Sequence, residues 1–241
     1  MSNRLLKTHA LAAALGLGLL GGGAHAQATG DPYPSMAPLD QYLMADKTAE
    51  IALARSAAPP AISGDAEILV LGPKGYETAV KGKNGFVCLV QRAWFSGLDD
   101  KEFWNPKERA PICLNAPGAR SVLSTFLKRT DWVLAGVPQA EMIRRTKAER
   151  AAKTIPVPET GTITYMMSKD GYLSDGVHGP WHPHLMFFVP PIKPAEWGAN
   201  LPGSPVMGGD GGLEPWTLFF VPVPYWSDGT VDEHPAMADG M

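Results

Sequence analysis

Three short runs, Glu67 to Leu71, Tyr76 to Val80 and Phe86 to Gln91, are rich in β-branched and apolar residues. Gly72-Pro73-Lys74-Gly75 and Lys81-Gly82-Lys83-Asn84-Gly85 separate them, and proline, glycine and asparagine suit the special backbone angles of turns. This alternation predicts an antiparallel β-meander over 66–91. Ahead of it, Leu39, Tyr42, Leu43, Ile51 and Leu53 sit among alanines and charges and predict an N-terminal helix over 38–57, which Pro59-Pro60 ends. Behind it, Trp94 to Pro117 mixes aromatics, charges and prolines and reads as an ordered crossover.

A helical pair is expected over 118–152. Leu123, Phe126, Leu127, Thr130 and Leu134 recur with the helical period, and Gly136 is suited to the stop. Pro138 opens the second, highly charged member through Arg150, whose pattern is that of a solvated surface helix. The last third, 161–222, is rich in proline, glycine and aromatics, with apolar strands at Ile163 to Ser168, Leu185 to Val189 and Leu218 to Val221. Two of these echo each other, Phe187-Phe188-Val189-Pro190 and Phe219-Phe220-Val221-Pro222, as expected of strands paired in one sheet. Gly208 to Gly212 reads as a loop. The fold class is therefore α+β: antiparallel sheet with two to three helices, one disulfide and a proline- and aromatic-rich C-terminal third.

The first 26 residues change the picture. Arg4 and Lys7 precede an apolar stretch from Leu11 to Leu20, which ends in Ala24-His25-Ala26. This is the pattern of a secretory signal peptide cleaved after Ala26, leaving one globular domain over 27–241 in the periplasm or outside the cell. Loss of Arg4 and Lys7 takes the formal charge from −3 to −5, and no basic run compensates. Nucleic acid is thus not an expected partner. No later stretch reaches the roughly 18 apolar residues of a membrane span, so none is expected after cleavage.

An oxidising compartment makes a Cys88–Cys113 bridge the simplest use of the only two cysteines. Two separate buried thiols are the alternative. A redox pair lacks the C-x-x-C spacing that lowers a thiol pKa.

Four histidines follow the leader, and three of them crowd into His178-Gly179-Pro180-Trp181-His182-Pro183-His184. In an extended chain His182 and His184 point to one side, with Cα atoms about 7 Å apart, a span that two imidazoles can close onto one ion. With His178 they form a candidate site for Zn or Cu. Asp170, Asp175 and His234 are further donors by chemistry alone. The Gly179-x-x-His182-x-His184 run is similar to part of the first cupin motif, but Phe187 to Pro191 replace the glutamate and glycine that should follow. Histidines hydrogen-bonded to backbone carbonyls, without a metal, are the competing reading.

Other catalytic signatures are missing: there is no G-x-S-x-G, H-E-x-x-H or phosphate-binding glycine loop. Ser168-Lys169-Asp170 and the Ser-Asp-Gly triplets at 174 and 227 have the composition of turns. Trp181, Trp216 and Trp226 are candidates for an aromatic surface that binds another envelope protein or a wall polymer. The expectation is an exported transition-metal-binding protein, with an envelope-binding protein as the alternative and a hydrolase, with or without metal, behind both.

Overall fold

The computed structural model describes residues 32–175 and 181–233. The leader expected over 1–26, with its expected cleavage site, lies outside them, as do His178 and His234. Asp46 caps the first helix, α1 (Lys47–Arg55), by accepting from the Thr48 amide at 2.8 Å. The expected helix over 38–57 is thus broken: a 3₁₀ turn at Leu39–Gln41 precedes the cap, and Pro60 begins a separate short helix, α2 (Pro60–Ser63).

β1 (Glu67–Gly72) and β2 (Gly75–Val80) form the predicted hairpin, with Gly72 opposite Gly75. β3 (Val87–Gln91) departs from the meander. It lies on the far side of β1 and runs parallel to it. The connecting chain crosses the start of β1 so closely that a Cβ on Gly82 would fall 2.3 Å from the Glu67 nitrogen. Only glycine permits that crossing, which is the physical reason the sheet is mixed rather than a meander.

Within the expected crossover lies a strand that the pattern did not suggest, β4 (Ala110–Leu114), antiparallel to β3. Cys88 and Cys113 are direct cross-strand partners and are joined by a disulfide. Asn115 then accepts from the Gly118 amide to open α3 (Ala116–Arg120), and α4 (Val122–Leu134) follows. α4 buries Val122, Phe126, Arg129, Thr130 and Val133, one stripe at helical spacing. Its end is a Schellman closure at Gly136, φ +69°: the Gly136 amide donates to Val133 O and the Val137 amide to Trp132 O. The charged helix follows as α5 (Gln139–Ala151).

β5 (Ile163–Met166), β6 (His184–Val189), β7 (Met207–Asp210) and β8 (Thr217–Pro222) complete one eight-stranded sheet, in the order β2-β1-β3-β4-β5-β6-β8-β7. The two echoing segments are neighbours in it, antiparallel, with Phe187 opposite Phe219. The glycine-rich loop is in part an edge strand. The Asn200 side chain donates to Gly208 O at 2.7 Å and accepts from its amide at 3.0 Å, covering the outer edge of β7 there. The fold is α+β and sheet-dominated; five α-helices among the described residues exceed the two or three expected, because caps and prolines split single periodic stretches.

Strand alternation divides the core. Leu69, Leu71, Leu89, Ile112 and Leu114 face one side, with Trp94, Phe103, Phe126 and Val133. Ile68, Val70, Cys88, Val90 and Cys113 face the other, beneath Ala54, Ala57 and Ala58 at the end of α1 and after it. Arg92 is wholly buried, with its guanidinium on Glu50 at 2.8 Å and on the Tyr42 and Val90 carbonyls at 2.6 Å each.

Candidate histidine site

β6 starts at His184, directly after Pro183, and this junction sets the site. Pro183 has no amide hydrogen, but its carbonyl accepts from Val223 at 2.9 Å and so ties the entry of β6 to the exit of β8. Past β8 the chain turns back on itself. Asp228 accepts from the Thr230 amide and hydroxyl, the Trp226 amide donates to Thr230 O at 2.8 Å, and Tyr225 bridges to Val231. The Asp232 amide closes the return on Pro224 O at 2.9 Å.

That return brings the Asp232 carboxylate to 2.8 Å from His182 Nδ1. His184 Nδ1 lies 2.8 Å from the His182 carbonyl oxygen. A carboxylate and a carbonyl only accept, so in both rings Nδ1 carries the hydrogen and donates it. A neutral ring of either residue then holds its lone pair on Nε2, which makes no hydrogen bond to any described residue.

Aromatics frame His184. Its ring meets Trp181 edge-on at 5.5 Å and Phe220 at 5.8 Å. Trp181 is fixed in turn: Nε1 donates to Ser168 O, and the ring lies on Gly171, where a Cβ would approach it to 2.9 Å. Burial among these groups holds the His184 pKa below the usual imidazole value, which favours the neutral ring.

The other expected residues are dispersed. Asp175 accepts from the Tyr33 and Tyr172 hydroxyls and from Lys107 at 3.1 Å, contacts that hold its carboxyl at about 2. It anchors the chain that leads toward the histidine run. Ser168 and Asp228 are turn formers, the first accepting from the Asp170 amide at 3.2 Å and the second from Thr230. Trp216 is a correction to the aromatic surface: it is 5% exposed, between Phe126 and Phe188, and fills the core. Trp181 and Trp226 are half-buried. Among the described residues no three His, Cys, Asp or Glu side chains converge closely enough to hold a metal ion.

Asp232 is the one member of this candidate site that the sequence-based expectation lacks. A signal was there: Ser227-Asp228-Gly229 directly after an apolar strand marks a hairpin, and a two-by-two pairing back from that turn returns Asp232 to the level of Pro224. A metal-free hydrolase needs a carboxylate on one histidine and a facing cavity. The carboxylate is present, but the cavity of about 410 Å³ is lined by Arg55, Ser56, Ser227 and their neighbours and includes neither ring. Ser168, whose carbonyl holds Trp181, is fully buried and shares its hydroxyl with that of Ser56 at 2.6 Å. No helix among the described residues is long and apolar enough to cross a membrane. Compared with protein families, with curated proteins and with solved structures, the chain matches none.

Proposed function

We propose that this chain is an exported protein, periplasmic or secreted, that binds a transition metal, Zn or Cu, through Nε2 of His182 and His184. The observation that carries this reading is the occupation of both Nδ1 atoms by oxygen acceptors. Metal-ligating histidines characteristically donate their second nitrogen to a carboxylate or carbonyl, which fixes the tautomer and strengthens the ligand. The depressed pKa of His184 supports the same reading, since only neutral imidazole ligates. Two nitrogens do not make a complete site, and His178 is the third donor that the sequence offers.

The test is metal content and calorimetric titration of the mature protein with Zn²⁺ and Cu²⁺. About one ion per chain is expected. The double variant His182→Ala, His184→Ala loses it and stays folded, and Asp232→Asn weakens it by about 10–100-fold. Equal metal content in the wild type and the double variant overturns the proposal. An envelope-binding role is favoured less, because Trp216 supplies no surface.

A further inference from the structure

The cavity of about 410 Å³ lies where α1 ends, lined by Ala52, Arg55, Ser56, Ala58, Pro60, Ser63, Gly64, Ser227 and Asp228. Its one cation is unusual. Arg55 Nε is shielded from solvent and has no hydrogen-bond partner among the described residues, and none of their carboxylates pairs with the guanidinium. Arg92, Arg109 and Arg129 have acceptors instead: Arg92 sits on Glu50, Arg129 on Glu214 with the Trp94 and Ser96 carbonyls, and half-buried Arg109 on the Gln41, Pro106 and Glu108 carbonyls. A desolvated charged donor left unmatched is costly, and an anion in the cavity beside the guanidinium offsets that cost through its charge.

Asp228, on the same wall, does not supply the acceptor. Its Oδ2 is paired with Lys169 at 2.8 Å, and its Oδ1 takes the Thr230 amide and hydroxyl. Arg55 and Lys169 together therefore leave one positive charge uncompensated at the cavity. Ser56 and Ser63 donate to the Leu53 and Ala58 carbonyls, whereas the Ser227 hydroxyl has no partner among the described residues. The remaining wall is methyl and methylene, from Ala52, Ala58 and Pro60.

We infer that this cavity is a binding site for a small organic carboxylate, whose anionic head meets Arg55 and Ser227 and whose short aliphatic body lies on the alanine and proline wall. A guanidinium matches a carboxylate with two parallel donors, and the space suits a ligand of a few carbons. The site is separate from the histidines and does not rest on the metal reading.

Butyrate, inorganic phosphate and butylamine serve as probes, titrated into the full mature chain at constant ionic strength and followed by calorimetry and by NMR shifts. Saturable butyrate binding is expected, with phosphate weaker and butylamine silent. Arg55→Gln weakens butyrate by about tenfold or more, and Ser227→Ala by a smaller factor, while the distant control Lys74→Gln leaves it unchanged. The melting temperature of ligand-free Arg55→Gln equals or exceeds that of the wild type, because an unmatched buried donor is removed. Metal content is unchanged in both cavity variants. Absence of saturable butyrate binding, phosphate binding tighter than butyrate, or a butyrate affinity untouched by Arg55→Gln overturns the inference.

Discussion

The sheet has two unlike halves. In β1, β3 and β4 both faces are covered, and every residue of β3 and β4 is buried. Burial alternates residue by residue along β5, over 185–189 of β6 and over 217–220 of β8. The first half carries the devices that hold a fold together: apolar layers on both sides, the disulfide, and the buried Glu50–Arg92 pair. The second half is half-covered and carries the proposed metal site, with His184 at the start of β6 and Asp232 on the hairpin behind it. A strand packed on both faces has no direction left in which to present a ligand, whereas one packed on a single face retains one. Stability and reactivity are therefore expected to be separable by mutation.

The largest effect belongs to the first half. Glu50→Ala leaves Arg92 buried without its carboxylate and removes the acceptor of the Leu71 amide at 3.2 Å. A loss of about 3–5 kcal/mol is expected in urea denaturation, since an uncompensated buried charge remains. A loss within experimental error would break the contrast between the halves at once. Replacing both cysteines, Cys88→Ser with Cys113→Ser, removes a link between residues 25 apart and is expected to cost about 2–4 kcal/mol. The same measurement with reductant on the wild type should agree.

In the second half the tight point is Gly208. A Cβ there would lie 2.7 Å from the Phe219 ring and 3.1 Å from Ala199 Cβ, at the place where Phe219 stacks on Trp197 at 4.4 Å. Gly208→Ala should cost about 1–3 kcal/mol, as overpacking does, and should alter the Trp197 fluorescence. A neutral result would mean that β7 yields easily and that the second half is softer still.

The contrast also explains what could be read from the sequence. The hairpin, α4, α5 and the β6–β8 pair follow from local period and turn chemistry, as Phe187 opposite Phe219 illustrates. β4 was hidden because a strand buried on both faces shows no alternation, and Pro111 near its start argues against a strand. The parallel placement of β3 depends on one close approach at Gly82, a contact between residues distant in sequence. At the site, the crowding of histidines was visible, but Asp232 reaches His182 only through a return of the chain 50 residues later.

Acid and alkali should act on the two halves in opposite directions. Glu108, between β3 and β4, is 2% exposed, and burial, with Asp100 and Glu102 nearby, pushes its pKa well above the usual carboxylate value despite Arg92 and Arg109. A raised folded pKa means that the folded chain holds a proton the unfolded chain has released. Stability is full below the unfolded carboxyl value and falls as pH rises toward the folded one, by up to about 1.4 kcal/mol per pH unit. Glu108→Gln should flatten that decline from about pH 4.3 upward, as read by urea midpoints at successive pH. An unchanged slope would remove Glu108 as its source.

His184 gives the smallest effect and the opposite sign. Burial depresses its pKa, opposed in part by its bond to the His182 carbonyl. As pH falls through the unfolded value near 6.5, the unfolded chain takes up a proton that the folded ring refuses, so stability drops until the folded pKa is reached. His184→Gln should remove that acid-side drop, worth about 1 kcal/mol or less between pH 7 and 5, and should leave the opposing Glu108 slope intact. Measured with chelator present, so that metal release adds nothing, the two variants assign one limb of the pH profile to each half of the sheet. If His184→Gln altered the alkaline limb, or Glu108→Gln the acid one, the halves would be coupled through β5, and the division of labour drawn from burial would fail.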